Sequence, residues 1–465
     1  MGRWIALAAS GLAGAAAYFL APADLGEPAR RALVIFVVAA LFWATEVVPL
    51  YATSLGVVVA SVWLLAGDIG LPNPPGPDGV LKARLFLDPL ASNVILLFLG
   101  GLILSAAVSR HGLDQAISAR VLAPFIDRPL LLIYAVLGST AFFSMWMSNT
   151  ATAAMMLAIL GPVLQRLEGR GRLAAAVALA VPIGANLGGI GTPVGTPPNA
   201  IALAALRSAG FDISFLRWML MAVPLMTLLL LIGGLLLYLM FGRGGPLAKP
   251  LEPSVAAPTP ALAASAPLTP RGWATLVVLL AAILAWLTGE WHGVPDGIIA
   301  LTTAAVLTVT GLATRDDVRN IEWSVLLLMW GGLTLGLAMQ HTGLLGLLGE
   351  LPLAHVRGPL LAGMVVLAAM FVSTFISNTA TAALLTPVVL AFALPERGQL
   401  VVLGALGCSF ALALPVSTPP NALAYATGRF STADMLRAGG LLSLIAVLVS
   451  LVGYPLMLPL ALPVR

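Results

Sequence analysis

Charge is what this chain has least of. Of its 465 residues only 9% are Asp, Glu, Lys or Arg, against 60% hydrophobic. A soluble protein carries roughly 25% charged residues, so the scarcity excludes a water-soluble globular fold and points to a chain dissolved in lipid. Cysteine is nearly absent: the single Cys408 excludes an intrachain disulfide and a cysteine-based metal site. His111, His292, His341 and His355 stand near expected helix ends without ligand spacing. Neither a His-Glu-x-x-His set nor a nucleophile–base pair occurs, which argues against an intramembrane enzyme. Runs of roughly ten alternating residues are missing, which argues against a barrel. The net charge of +4 is spread over loops and reads as topology, with no nucleic-acid patch.

What remains is apolar, with 47 Gly that suit helix-on-helix packing through small residues. Charges and Gly/Pro clusters divide the chain into spans near 4–21, 30–48, 53–67, 90–108, 173–205, 216–241, 272–288, 296–312, 322–340, 399–427 and 437–461. These predict an all-α membrane protein of about eleven transmembrane helices. Arg3 ahead of residues 4–21 resembles a secretory signal, but the apolar run is long and further spans follow, so residues 1–28 read as a retained first helix. With the N terminus inside, 14 of the 23 Lys and Arg fall on the cytoplasmic side, which favours N-in and C-out. Residues 242–271, rich in Pro and Ala, read as a linker between halves 29–241 and 272–465.

The two halves share polar motifs. Ser148-Asn149-Thr150-Ala151-Thr152-Ala153-Ala154 is identical to Ser377-Asn378-Thr379-Ala380-Thr381-Ala382-Ala383. Each precedes an identical Thr-Pro-Pro-Asn-Ala, Thr196 to Ala200 and Thr418 to Ala422. Leu97-Phe98-Leu99-Gly100-Gly101-Leu102 also matches Leu328-Met329-Trp330-Gly331-Gly332-Leu333, and Gly112-Leu113 matches Gly343-Leu344. An odd number of spans between equivalent elements makes the second repeat inverted.

Residues 129–164 and 358–395 are uncharged and carry Ser-Asn-Thr near their middles. A single helix of about 36 residues would be roughly 54 Å long, too long for a core of about 30 Å. Two full crossings would need more residues, so each segment reads as a re-entrant hairpin with the tripeptide at its tip. Residues 173–205 and 399–427 contain Pro197-Pro198 and Pro419-Pro420, which cannot continue a helix interior. They read as helices broken at mid-membrane, tolerated where backbone is buried or lines a cavity. Helix N-termini there attract anions, and freed carbonyls with hydroxyls suit Na⁺. Neither hairpin nor break holds an Asp or Glu, which argues for sodium over proton coupling and against an antiporter.

The twin Ser-Asn-Thr and Thr-Pro-Pro-Asn motifs, with Trp43 to Pro49 (WATEVVP) and Trp286 to Asp296 (WLTGEWHGVPD), resemble the divalent-anion/sodium symporter family, which includes dicarboxylate and citrate carriers. The resemblance runs from about residue 30 to the C terminus. It implies an elevator-type homodimer in a bacterial-type cytoplasmic membrane, with scaffold and mobile transport domains, carrying di- or tricarboxylates with Na⁺. One sodium site would use Ser144, Ser148, Asn149 and the Gly195 carbonyl, the other Ser373, Ser377, Asn378 and Ser417. Substrate carboxylates would meet Asn149, Thr150 and Thr196 from one half, and Asn378, Thr379, Thr418 and Pro419 from the other. Ser373 and Ser417 stand where the family varies.

Other readings stay open: a sodium-independent exchanger, a sulfate or other oxyanion carrier, a channel. Ser148 and Ser377 also suit helix capping. Asn199 and Asn421 read as loop braces, and Glu46 and Glu290 as structural partners of a helix end or an Arg. The tryptophans read mostly as interface anchors, with Trp146 a possible brace for the first tip.

Overall fold

A computed structural model describes residues 2–22, 24–69, 77–167, 171–211, 213–242, 268–349, 356–392 and 394–457. Most of the expected linker, and residues 458–461 of the last expected span, lie outside them. No β-strand occurs among the described residues. The first half runs α1 (Gly2–Leu20), α2 (Glu27–Thr45), α3 (Leu50–Leu65), α4 (Ala83–Leu87), α5 (Asn93–Arg110), α6 (Leu113–Leu122), α7 (Pro129–Ser144), α8 (Asn149–Arg166), α9 (Gly171–Gly189), α10 (Pro197–Ser208) and α11 (Phe215–Leu237). The second runs α12 (Pro270–Leu287), α13 (Gly289–His292), α14 (Asp296–Val309), α15 (Arg315–Arg319), α16 (Trp323–His341), α17 (Leu344–Gly349), α18 (Gly358–Phe375), α19 (Asn378–Ala391), α20 (Arg397–Cys408), α21 (Pro419–Tyr425) and α22 (Thr432–Met457).

Local chemistry sets many of these ends. Ser92, Ser148, Ser214 and Thr269 accept a backbone N–H of the first turn of α5, α8, α11 and α12. Pro-Pro opens α10 and α21 behind Thr196 and Thr418, where a missing N–H costs nothing. Nine helical stretches among the described residues are long and apolar enough to cross a membrane. Three expected crossings fall short of that length: α20, which opens the broken span 399–427, has 12 residues, and α3 and α14 have 16 and 14. At 1.5 Å per residue α3 and α14 reach roughly 24 and 21 Å, less than the about 30 Å of a hydrocarbon core. Conversely, α18, expected as half of a hairpin, has 18 residues.

The Gly-Gly motifs have a packing reason. Gly100 of α5 faces Ala300 of α14 so closely that a Cβ would overlap its backbone. Its counterpart Gly331 of α16 faces α3, where a Cβ would lie 2.5 Å from the Cα of Ser54. The short helices α3 and α14 are thus held by close backbone approach, the small-residue packing that works where lipid supplies no hydrophobic drive between helices. The second glycines face elsewhere: Gly101 toward Val194, and Gly332 toward Ala383 of α19. In both halves the motif helices pack alike, with α7 and α8 on α9, and α18 and α19 on α20.

The tryptophans correct the sequence expectation. Trp43, Trp218 and Trp286 are at most 1% exposed, and Trp146 is buried, while Trp4, Trp63, Trp273, Trp291 and Trp323 are exposed. Three of the buried indoles donate to backbone carbonyls, of Leu50, Ile190 and Asp296 respectively. A polar tip that finds an internal acceptor no longer needs the interface.

Candidate functional site

Residues 145–148 interrupt the chain between α7 and α8, and residues 376–377 between α18 and α19. The two interruptions and the starts of α10 and α21 converge on one cavity of about 580 Å³. Ser148, Asn149, Thr150, Gly195 and Thr196 line it from the first half, and Ser377, Asn378, Thr379, Ser417, Thr418 and Pro419 from the second. Ser144 and Ser373 do not line it. Each is fully buried one layer behind, with its hydroxyl 2.7 Å from Asn149 Oδ1 and 2.6 Å from Asn378 Oδ1, respectively.

The first half forms a tight knot of acceptors. Ser144 Oγ also lies 2.7 Å from the Ala185 carbonyl, and one hydroxyl proton cannot serve both acceptors. The inward amide atom of Asn149 sits 2.7 Å from Ser144 Oγ, 3.2 Å from the Gly195 carbonyl and 3.3 Å from the Ala185 carbonyl. With nitrogen in that place the knot satisfies itself; with oxygen there, four oxygens face one another. Oxygens sharing a small hard cation at about 2.4 Å stand roughly 3.0–3.5 Å apart; the Gly195 and Ala185 carbonyls lie at that spacing from the amide atom, while the two 2.7 Å separations at Ser144 Oγ are those of hydrogen bonds. Glycine permits the approach: a Cβ on Gly189 would lie 2.5 Å from Asn149 Oδ1, and one on Gly195 would strike the Gly189 carbonyl.

The second half repeats part of this arrangement. Ser373 Oγ donates to the Cys408 carbonyl at 2.8 Å, as Ser144 does to Ala185. Ser417 differs from its counterpart Gly195 in carrying a hydroxyl, which donates to the Thr374 carbonyl at 3.0 Å. Ser148 accepts from Ala151 N and donates to Glu322 Oε1 at 3.0 Å, whereas Ser377 makes no such cap bond.

Asn199 and Asn421 spend their amides on the irregular segments. Asn199 Nδ2 donates to the carbonyls of Gly189 and Thr192, Asn421 Nδ2 to that of Leu414. Asn186 lines the cavity and ties the halves, donating to Asn421 Oδ1 at 2.9 Å and Thr418 Oγ1 at 3.2 Å. Sequence reasoning missed it, although an Asn inside the uncharged Gly-rich run before the first Pro-Pro is an available signal. It also missed Glu322.

Glu46, expected to serve a helix end, is the C-terminal cap residue of α2 in the left-handed region at φ 48°, and it also lines the cavity. Glu290 keeps a structural role, paired with Arg217 at 3.1 Å and accepting from Ser214. Among the described residues, Glu46 and Glu322 are the only charged ones of the lining, and no Lys or Arg reaches it. Behind the first tip, Trp146 stacks parallel to Phe215 and Trp286 at ring separations of 6.2 and 6.4 Å. No cluster of three His, Cys, Asp or Glu among the described residues could hold a metal ion.

Residues 3–458 match the family profile described as the sodium:sulfate symporter transmembrane region. An uncharacterized transporter of Haemophilus influenzae is 31% identical over 448 residues, 91% of each chain. The sodium-dependent dicarboxylate transporter SdcS of Staphylococcus saprophyticus is 28% identical, over 92% of this chain and 86% of its own. Among solved structures, the YdaH transporter of Alcanivorax borkumensis superposes with a TM-score of 0.54 at 17% identity, covering 94% of this chain and 99% of that one. That likeness concerns the fold alone.

Proposed function

The chain belongs to the sodium:sulfate symporter family, the divalent-anion/sodium symporters, and is an integral-membrane transporter, not an enzyme; on that premise we propose that it carries di- or tricarboxylate anions together with Na⁺. One observation carries the reading: two identical Ser-Asn-Thr turns and two identical Thr-Pro-Pro-Asn helix starts line a single cavity that no Lys or Arg among the described residues enters. A dianion there meets helix N-termini worth only about +0.5 each, beside the carboxylates of Glu46 and Glu322. Co-bound cations close that deficit. Ser144, Ser148, Asn149 and Gly195 hold one Na⁺, and Ser373, Ser377, Asn378 and Ser417 the second. Asn149, Thr150, Thr196, Asn378, Thr379, Thr418 and Pro419 meet the anion.

The same proposal extends to how it moves. The pairs α7–α8 and α18–α19 are re-entrant hairpins of two inverted repeats, in a homodimer with eleven crossings per protomer, N-in and C-out, in a bacterial inner membrane. The packing supports a division: α2, α3, α5, α12, α14 and α16 pack mostly among themselves, as do α7 to α11 with α18 to α22, and the two sets meet where α16 lies against α19 and α10, and α5 against α10. The first set is the scaffold and the second the elevator.

Uptake of radiolabelled succinate into proteoliposomes tests the chemistry. Uptake should fall to background when choline or K⁺ replaces Na⁺, and Na⁺ and succinate should raise each other's affinity by one common factor. Unaltered uptake in choline, driven instead by anion on the far side, makes the protein an exchanger. Uptake of sulfate but no carboxylate makes it an oxyanion carrier.

A further inference from the structure

A second cavity, of about 420 Å³, lies between the same elements. Four helices each line both cavities, at different points along their length. The candidate site takes Gly101 of α5, Pro197 of α10, Val325 of α16 and Asn378 of α19. The second takes Asn93 of α5, Arg207 of α10, Gly336 of α16 and Pro387 of α19. Eleven residues separate Val325 from Gly336, so the two lie about 16 Å apart along one seam.

Their charge is opposite. Among the described residues, the lining of the candidate site holds Glu46 and Glu322 and no cation, and that of the second cavity holds Arg397 and Arg207, the latter ion-paired with Asp296. Arg207 spends Nη2 on Asp296 at 2.6 Å and on the Ile213 carbonyl, while Nη1 is buried without a hydrogen-bond partner. Although the Arg207 side chain is 21% exposed, an orphaned buried donor is costly, and an anion beside it removes the cost. Arg397 lies over the Phe211 ring, 5.7 Å from its centroid, and makes no ion pair among the described residues. Stacking uses the face of a guanidinium and leaves its in-plane N–H fork for a carboxylate. Arg397 also opens α20 and Asn93 opens α5, so two helix N-termini add positive potential at the cavity.

We propose that this second cavity is an anion site, in which Arg397 and Arg207 hold a carboxylate or oxyanion at the far end of the path from the candidate site. That the ligand is of the transported class rests on the function proposed above. The site loads or releases the anion when the seam opens at that end. Its reason is electrostatic: the site with the coupling ions carries no fixed cation, so an anion approaching it needs a place of positive potential first.

Equilibrium binding of labelled succinate to the full-length protein in detergent, with Na⁺ present, tests this. Wild type should show a tight and a weak class of sites. The double variant Asn149→Ala/Asn378→Ala should keep only the weak class. Arg397→Gln should keep only the tight one, weakening the other at least about tenfold, with Arg397→Lys intermediate. Should Arg397→Gln fail to fold, Gln340→Ala in the same cavity replaces it. A weak class untouched by these variants, or absent from the double variant, overturns the proposal. A tight class that survives the double variant while Arg397→Gln removes the weak one refutes the candidate site and leaves the second standing. In nanodiscs, loss of Arg397-dependent succinate binding on adding phosphatidylglycerol shows a lipid headgroup to be the occupant and overturns it too.

Discussion

The irregular segments Pro193-Val194-Gly195-Thr196 and Pro415-Val416-Ser417-Thr418 precede the same Pro-Pro-Asn and follow the same seven-residue motif, yet they are not environmentally equivalent. Val194 is 7% exposed, facing Gly101, whereas Val416 is 81% exposed. Gly195 is in close contact with the Gly189 backbone, while Ser417 has room for a side chain that bonds Thr374. Ser148 reaches a carboxylate and Ser377 does not. Two copies of one motif in one chain share their chemistry but not their neighbours.

The largest effect should come from removing what the copies share. Asn149→Ala and Asn378→Ala should each bring succinate uptake to background, while the apparent melting temperature moves little, since each amide trades about 1 kcal/mol of hydrogen bonding. Full transport by either variant would show that one copy suffices and that the pairing of motifs is not functional.

An exchange at the position that differs should have a smaller and unequal effect. Gly195→Ser places a Cβ against the Gly189 carbonyl, and backbone cannot yield as a side chain can. A loss of about 1–3 kcal/mol is expected from overpacking alone, with weakened Na⁺ dependence because the displaced segment carries a proposed ligand. Ser417→Gly gives up one hydrogen bond, to Thr374, worth about 1 kcal/mol. Thermal denaturation of both variants, with and without Na⁺, reads the comparison. Equal shifts would mean that the two segments are interchangeable.

These differences also mark where sequence reading stops. Helix starts at Pro-Pro, the interruptions at Ser-Asn-Thr and the break before Thr196 follow from local chemistry, and local chemistry is written in neighbouring residues. The short lengths of α3 and α14 do not follow, because apolar loop residues such as Ala66 and Leu312 extend the hydrophobic pattern beyond the helices. The Gly-Gly match was visible as a repeat, but its purpose, contact with Ser54 and Ala300, belongs to helices distant in sequence. Glu322 stands 174 residues from Ser148, and nothing in its own surroundings marks it as a partner. Asn186 carries a signal only once its link to Asn421, 235 residues away, is known.

The smallest expected effect tests the acid that only one copy has. The Ser148 hydroxyl gives its proton to Glu322, which turns its lone pairs toward its own side of the contact and sets a negative charge beside a proposed Na⁺ ligand. Glu322→Gln keeps an acceptor for that hydroxyl and removes only the charge. Because Glu322 is exposed, solvent screens it, and such pairs contribute about 0.2–1 kcal/mol. The half-saturating Na⁺ concentration for uptake should therefore rise by roughly 1.4- to 5-fold at unchanged maximal rate. Ionic strength must be held constant with choline, since salt itself weakens an exposed charge. The counterpart of Glu322, from the alignment of the Gly-Gly motifs, is Ala91, so the second copy offers no equivalent charge to remove. A Na⁺ dependence that stays the same or tightens in Glu322→Gln would mean that the carboxylate only positions Ser148, and that the two copies bind their cations with the same local field.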